Sequence, residues 1–149
     1  MGKVTIVEMG LRDGLQNEAV HLSVSQRFQL LKKLNDAGLR KIEIGAFVSP
    51  KWVPQMSDTS KLVKKSLAAQ KQKKLSRVLQ MSALVPNMIG FENAKKSGIK
   101  EIAVFGAASE TFSQKNINVS IKQSLVNFQQ VVKAAKKEKM KTRAYLSTV

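Results

Sequence analysis

Val4-Thr5-Ile6-Val7-Glu8-Met9-Gly10-Leu11-Arg12-Asp13-Gly14-Leu15-Gln16-Asn17-Glu18 is the stretch on which the reading of this chain turns. Val4 to Val7 is an apolar run, and Val4 to Met9 reads as a buried strand. The residues that follow put an arginine, a carboxylate and two amides just past that strand's C-terminal end. In parallel α/β proteins this is the end of the strands where chemistry gathers.

Working outward, strands and helices alternate. Ser23 opens a helix with Gln26 three residues on, a capping box. Phe28, Leu31 and Leu34 share its face, and Gly38 stops it. Lys41 to Phe47 is the second strand. A Pro-containing loop, Ser49 to Pro54, precedes a helix over 58–74 with Leu62, Val63 and Leu67 inward. Strands at 78–85, 101–107 and 143–149 follow, separated by helices at 87–97 and from Ser120 onward. In the last helix, Ile121, Leu125, Phe128, Val132 and Ala135 form an apolar stripe. Alternation of this kind implies parallel βαβ units with right-handed crossovers. A full eight-fold barrel takes about 250 residues. The expected fold class is therefore α/β, a partial (β/α)8 TIM barrel of four βα units plus a fifth strand. Residues 1–149 form a single N-terminal half-barrel domain. A doubly wound open sheet is the alternative, but Gly10-Leu11-Arg12-Asp13-Gly14 matches neither its glycine-rich turn nor a P-loop.

The 149 residues are enough to bury a core. Hydrophobic residues at 43% and charged ones at 24% fit a globular protein. No run reaches the roughly 18 apolar residues of a membrane span. Cysteine is absent, which excludes disulfides and thiolate metal sites. The first strand begins almost at once, leaving no room for a secretory signal, so the expected location is the cytoplasm. Net charge is +16, from 26 basic and 10 acidic residues. Lys61, Lys64, Lys65, Lys71, Lys73 and Lys74 lie along one helical stretch, and Lys133 to Lys141 hold another five lysines. These read mainly as solvated helix faces, with phosphate attraction as the lesser role. Aromatic residues at 5% are too few for a base-stacking platform, so no specific nucleic-acid partner and no membrane partner are expected.

Several residues could carry chemistry. Asp13 is a hard oxygen donor suited to Mg²⁺ or Mn²⁺, although an Asp in a Gly-flanked turn also serves as an Asx-turn or cap. Arg12 offers a planar fork of donors that can meet a developing oxyanion; its plainer role is a surface ion pair. Glu43 stands between Ile42 and Ile44. A carboxylate there is expected to face the barrel interior, toward Arg12. Glu8, Gln16 and Asn17 add polar groups nearby. His21 is the only histidine, so a Ser-His-Asp triad finds no support.

At these residues the chain resembles the 3-hydroxy-3-methylglutaryl-CoA lyase family. The matching blocks are Glu8 to Glu18, Ala46-Phe47-Val48-Ser49-Pro50-Lys51-Trp52-Val53-Pro54-Gln55-Met56, Phe105 to Glu110 with Lys115 to Asn118, and Arg143 to Ser147. The Trp52 loop is the most specific of them. The resemblance implies metal-dependent cleavage of hydroxymethylglutaryl-CoA to acetyl-CoA and acetoacetate. By that likeness Asp13 is a ligand of a divalent metal, Mg or Mn, in a site that this chain leaves incomplete. Arg12 stabilises the enolate and Glu43 belongs to the active-site floor. Gln16, Asn116 and Tyr145 are substrate-side contacts. Leu11 stands where the family usually has proline, and Ala46 where it has a small hydroxyl residue. The family's His-x-His metal pair has no counterpart in these residues. The isolated chain is therefore expected to be inactive. It is expected to pair as a homo-oligomer or with a complementary C-terminal half, and an acyl-CoA is the expected substrate. A related acyl-CoA condensing enzyme of the isopropylmalate-synthase type, or a non-catalytic basic phosphate- or CoA-binding module, are the alternatives.

Overall fold

In the computed structural model, which describes residues 4–147, four strands form one parallel sheet. They are β1 (Lys41–Ala46), β2 (Gln80–Leu84), β3 (Glu101–Ala107) and β4 (Lys141–Ser147). Their spatial order is β1-β2-β3-β4, the order of the chain. A doubly wound sheet reverses direction at a switch point. Here no reversal occurs, so every crossover advances the same way. That is barrel topology, as expected.

The helices are α1 (Val24–Asp36), α2 (Thr59–Lys71), α3 (Met88–Ser97), α4 (Glu110–Ile117) and α5 (Ile121–Lys137). Their ends follow side-chain chemistry. Ser23 and Gln26 form the foreseen capping box on α1. The Asn87 side chain accepts from Gly90 N at 3.0 Å at the start of α3, and the Ser120 hydroxyl accepts from Gln123 N at 3.1 Å at the start of α5. Helix α4 was not foreseen. Ser109 caps it, and Phe112 meets Phe105 edge to face at 6.2 Å, tying it to β3. Helix α2 is shorter than expected: it ends at Lys71, and Lys73 adopts a left-handed φ of 60°.

The core lies between sheet and helices. Ile42, Ile44, Ala83, Ile102 and Val104 meet Leu31, Leu62, Val63, Phe91 and Val131. Each fully buried Leu or Ile contributes roughly 1.5–3 kcal/mol of apolar transfer. At Gly45 the layers come close: a Cβ there would lie 2.6 Å from Thr59 Oγ1 and 3.0 Å from Arg27 Nη2. The β1–β2 register shifts between Glu43 and Gly45 at the same place.

Two expectations are corrected. Val4 to Met9 is not a buried strand. It makes one parallel bridge, Glu8 to Ile42, and Val4 and Ile6 are 86% and 69% exposed. Among the described residues nothing pairs with its other side, so a single rung forms. The α5 stripe is turned as well. Ser124, Val131 and Ala135 are buried with Phe128 partly so, while Leu125 and Val132 lie toward solvent. On β4, Leu146 is 64% exposed near the outer edge of the sheet, beyond the part that α5 covers.

Candidate active site

The face of the sheet opposite this core gathers polar side chains. Side chains alternate across a strand, so the residues opposite the core include Glu43 on β1, Ser82 on β2 and Arg143 and Tyr145 on β4, with Ala103 and Phe105 of β3 between them. Leu11, fully buried, anchors a π-helical turn at Gly10–Gly14 and carries Arg12 over the same face. The turn is held at its start by Glu8, whose carboxylate accepts from Gly10 N at 2.6 Å. A Cβ on Gly10 would lie 2.8 Å from that oxygen, so a larger residue would make the Glu8 carboxylate shift.

Glu43 is the hub. It is fully buried, and both oxygens are engaged. Oε1 accepts from Arg12 Nε at 2.6 Å; Oε2 accepts from the Tyr145 hydroxyl at 2.7 Å and from Arg143 Nη2 at 3.4 Å. Arg143 Nη2 also donates to Tyr145 Oη at 2.6 Å and to Ser82 Oγ at 3.3 Å. Arg12 Nη1 donates to Asp13. That leaves Arg12 Nη2 without an acceptor among the described residues. The two guanidinium groups are matched by the two carboxylates, so the cluster is neutral overall. Burial first, and then the hydrogen bond to Glu43, push the Tyr145 phenol well above its ordinary pKa. Tyr145 is therefore a neutral donor across the physiological range.

Strands β1 and β4 are three spacings apart, roughly 14 Å in a flat sheet at about 4.8 Å per step. A 2.7 Å bond between Tyr145 and Glu43 requires the sheet to curl around this face. The polar face is thus the concave interior of a partial barrel. Arg12 and Asp13 stand at its rim beyond the strand ends.

The remaining expected residues sit apart from this network. Gln16 is half-buried in the loop after the turn and bonds to none of its members. Asn116 is exposed on α4, which follows the C-terminal end of β3. Trp52, in the most distinctive loop, is 85% exposed. Two residues were missed by residue-level reading. Arg143 stands two positions before Tyr145, the spacing that puts both on one face of a strand. Arg27, 1% exposed, donates from Nη2 to Ile44 O at 2.9 Å and from Nη1 to Gln55 O at 3.3 Å, tying the Trp52 loop to β1. Burial lowers its pKa, opposed by Asp58. Its signal was its place four residues before Leu31 on the inward face of α1.

The family likeness implies a divalent cation, and the residues can be tested against one. Among the described residues no three His, Cys, Asp or Glu side chains converge on a point. Both Glu43 oxygens are taken, and the Asp13 side chain is 64% exposed with one oxygen on Arg12. A hard divalent ion takes about six or more oxygen ligands, or fewer with waters. One exposed carboxylate does not make that site by itself.

A family model described as HMGL-like matches residues 3–148. The chain belongs to the HMGL-like family. It is 48% identical over 147 residues to the 3-hydroxy-3-isohexenylglutaryl-CoA/hydroxy-methylglutaryl-CoA lyase of Pseudomonas aeruginosa, covering 99% of this chain and 47% of that protein. It is 47% identical over 144 residues to the cytoplasmic 3-hydroxy-3-methylglutaryl-CoA lyase of Danio rerio, covering 97% of this chain and 41% of the relative. A crystal structure of hydroxymethylglutaryl-CoA lyase from Pseudomonas aeruginosa superposes with a TM-score of 0.85 at 46% identity, over 97% of this chain and 46% of that one. This HMGL-like chain therefore spans about half the length of the relatives it matches. They are lyases rather than condensing enzymes, and the alternative readings find no support among them.

Proposed function

We propose that this chain forms the Arg12-bearing part of a hydroxymethylglutaryl-CoA lyase, as a single half-barrel domain. The observation that carries the reading is the buried Arg12 guanidinium, fixed by Glu43 and Asp13, with Nη2 left for a ligand. In the reaction the tertiary hydroxyl loses its proton and its oxygen becomes the ketone of acetoacetate. The electron pair of the broken carbon–carbon bond departs as the enolate of acetyl-CoA. Arg12 would meet the charge building on the thioester oxygen, where a preorganised donor in a water-poor cleft counts most. Glu43 is a positioning partner: it orients Arg12 and holds Tyr145 as a donor. Gln16, Asn116 and Tyr145 would contact the acyl-CoA. Asp13 would be one ligand of Mg²⁺ or Mn²⁺, in a site that these residues do not complete.

The exposed Leu146 and the outer edge of β4, with no strand partner among the described residues, support a partner that continues the sheet. That partner is a complementary C-terminal half or a second copy of this chain. For location, the name of the Danio rerio relative supports the cytoplasm, whereas the names of the Homo sapiens and Bos taurus relatives are mitochondrial.

The test is acetoacetate release from hydroxymethylglutaryl-CoA with Mn²⁺. The purified chain alone should give none above background. Adding the separately expressed C-terminal half of the Pseudomonas aeruginosa lyase should restore turnover, and Arg12→Gln should abolish it again. Turnover unaffected by Arg12→Gln would refute the reading.

A further inference from the structure

The two ends of the strands carry opposite charge. The connections that lead from helix into strand, counted with the last helical and first strand residues, span 36–41, 71–80, 95–101 and 136–141. They hold thirteen of the chain's 26 lysines and arginines and three of its 10 acidic residues. The connections leading from strand into helix, 8–23, 47–58, 85–87 and 108–120, hold three basic residues and five acidic ones. Twelve of the thirteen cations are exposed and Lys41 is half-buried. Among the described residues only Lys95 is in an ion pair, with Glu138.

Helix dipoles do not account for this. Cations in a last helical turn complement the helix C-terminus, but the effect dies away within that turn. Eight of the thirteen, Lys73 and Lys139 among them, lie beyond the helix ends. Backbone conformation gives an independent sign. Each helix that feeds a strand ends at a left-handed residue: Gly38 (φ 96°), Lys73 (φ 60°), Gly98 (φ 87°) and Lys139 (φ 55°). Glycine adopts that conformation without strain and lysine does not. Two of the four positions therefore hold a charge where the backbone favours none. An acyl-CoA tail at the catalytic mouth does not use this charge, which lies at the opposite end of the strands.

Two adjoining shallow depressions share Arg77; one is lined also by Arg40, Lys73 and Lys74, and the other by Lys71. The four basic segments contain no aromatic residue on which a base could stack. Val78 is their one large exposed hydrophobic, too little to seat the face in a bilayer. Lysines act as point charges for phosphates without reading bases. We propose that this face binds the phosphate backbone of nucleic acid without reading its sequence, in addition to whatever the opposite end of the strands catalyses.

The test is fluorescence anisotropy of a labelled DNA duplex of arbitrary sequence with the purified full chain. Affinity should fall roughly 40-fold between about 50 and about 200 mM salt, the slope for three phosphate contacts, and should not depend on sequence. The double variant Lys73→Gly/Lys139→Gly relieves the left-handed strain, so it folds at least as well, and should bind at least fivefold more weakly. The charge-matched control Lys64→Gln/Lys122→Gln, on exposed helix faces, should stay within about twofold. Equal losses in the two double variants, no binding at the low salt, or tighter binding to anionic phosphatidylserine vesicles than to the duplex would each overturn the proposal.

Discussion

On the concave face and its rim the charges that count are few and matched, and Glu43 and Arg12 are buried. Glu43 takes Arg12, Arg143 and Tyr145 on its two oxygens, and Asp13 takes the other side of Arg12. At the N-terminal end they are many and exposed, and among the described residues they are mostly unmatched. The same four strands support both, because burial sets the rule at each end. A charge inside the curled sheet must be compensated or it destabilises the fold. A lysine in water needs no partner, and its placement is free to serve solubility or a ligand.

The largest effect that tests this contrast is at the hub. Glu43→Ala leaves Arg12 and Arg143 without their shared acceptor and should lower unfolding free energy by about 3–5 kcal/mol in urea titration. A loss below about 1 kcal/mol would mean that the cluster is not the buried, matched unit described here.

Tyr145 gives an effect of intermediate size with a pH signature. Its folded pKa is raised above the unfolded value of about 10. Its contribution to stability is therefore full below about pH 10 and is lost as pH rises further. Tyr145→Phe should cost about 1 kcal/mol near neutral pH. This is the chain's single tyrosine, so its phenolate absorbance can be titrated directly. A midpoint at or below the ordinary value would contradict the hydrogen bond to Glu43.

The smallest expected change lies at the other end. Lys74→Gln with Arg77→Gln should alter stability by less than about 0.5 kcal/mol, read by thermal unfolding. A clear drop would show that the basic face is structural, and the contrast between the two ends would lose its meaning.

Much of this was legible from residue pattern. Ser23 with Gln26, and Ser120 with Gln123, mark helix starts by local hydrogen bonding, and local chemistry survives into the fold. Glu43 between two isoleucines announced a buried carboxylate in need of a cation, and Arg12 is the cation it meets. What stayed hidden depends on contacts distant in sequence. Val4 to Val7 has the composition of a buried strand, but burial needs partners on both sides. The Val132 stripe fits a helix as well as the Val131 face does; packing against β3 and β4 chose between them. The lysines of 71–74 look like one helical face until the chain turns at Lys73 and gathers them with Arg40. Gln16 and Asn116 were drawn from family likeness, and neither joins the Glu43 network.

The central claim is that the first loop reaches into the curled sheet and that Arg12 and Glu43 act as one unit there. A double-mutant cycle in urea unfolding, Arg12→Met and Glu43→Gln with the paired variant, measures that link most directly. The predicted coupling is between about 1 and about 3 kcal/mol, as for contacting residues in one network. Losses that add to within about 0.5 kcal/mol would mean that the two side chains do not interact, and the account of the site would fail.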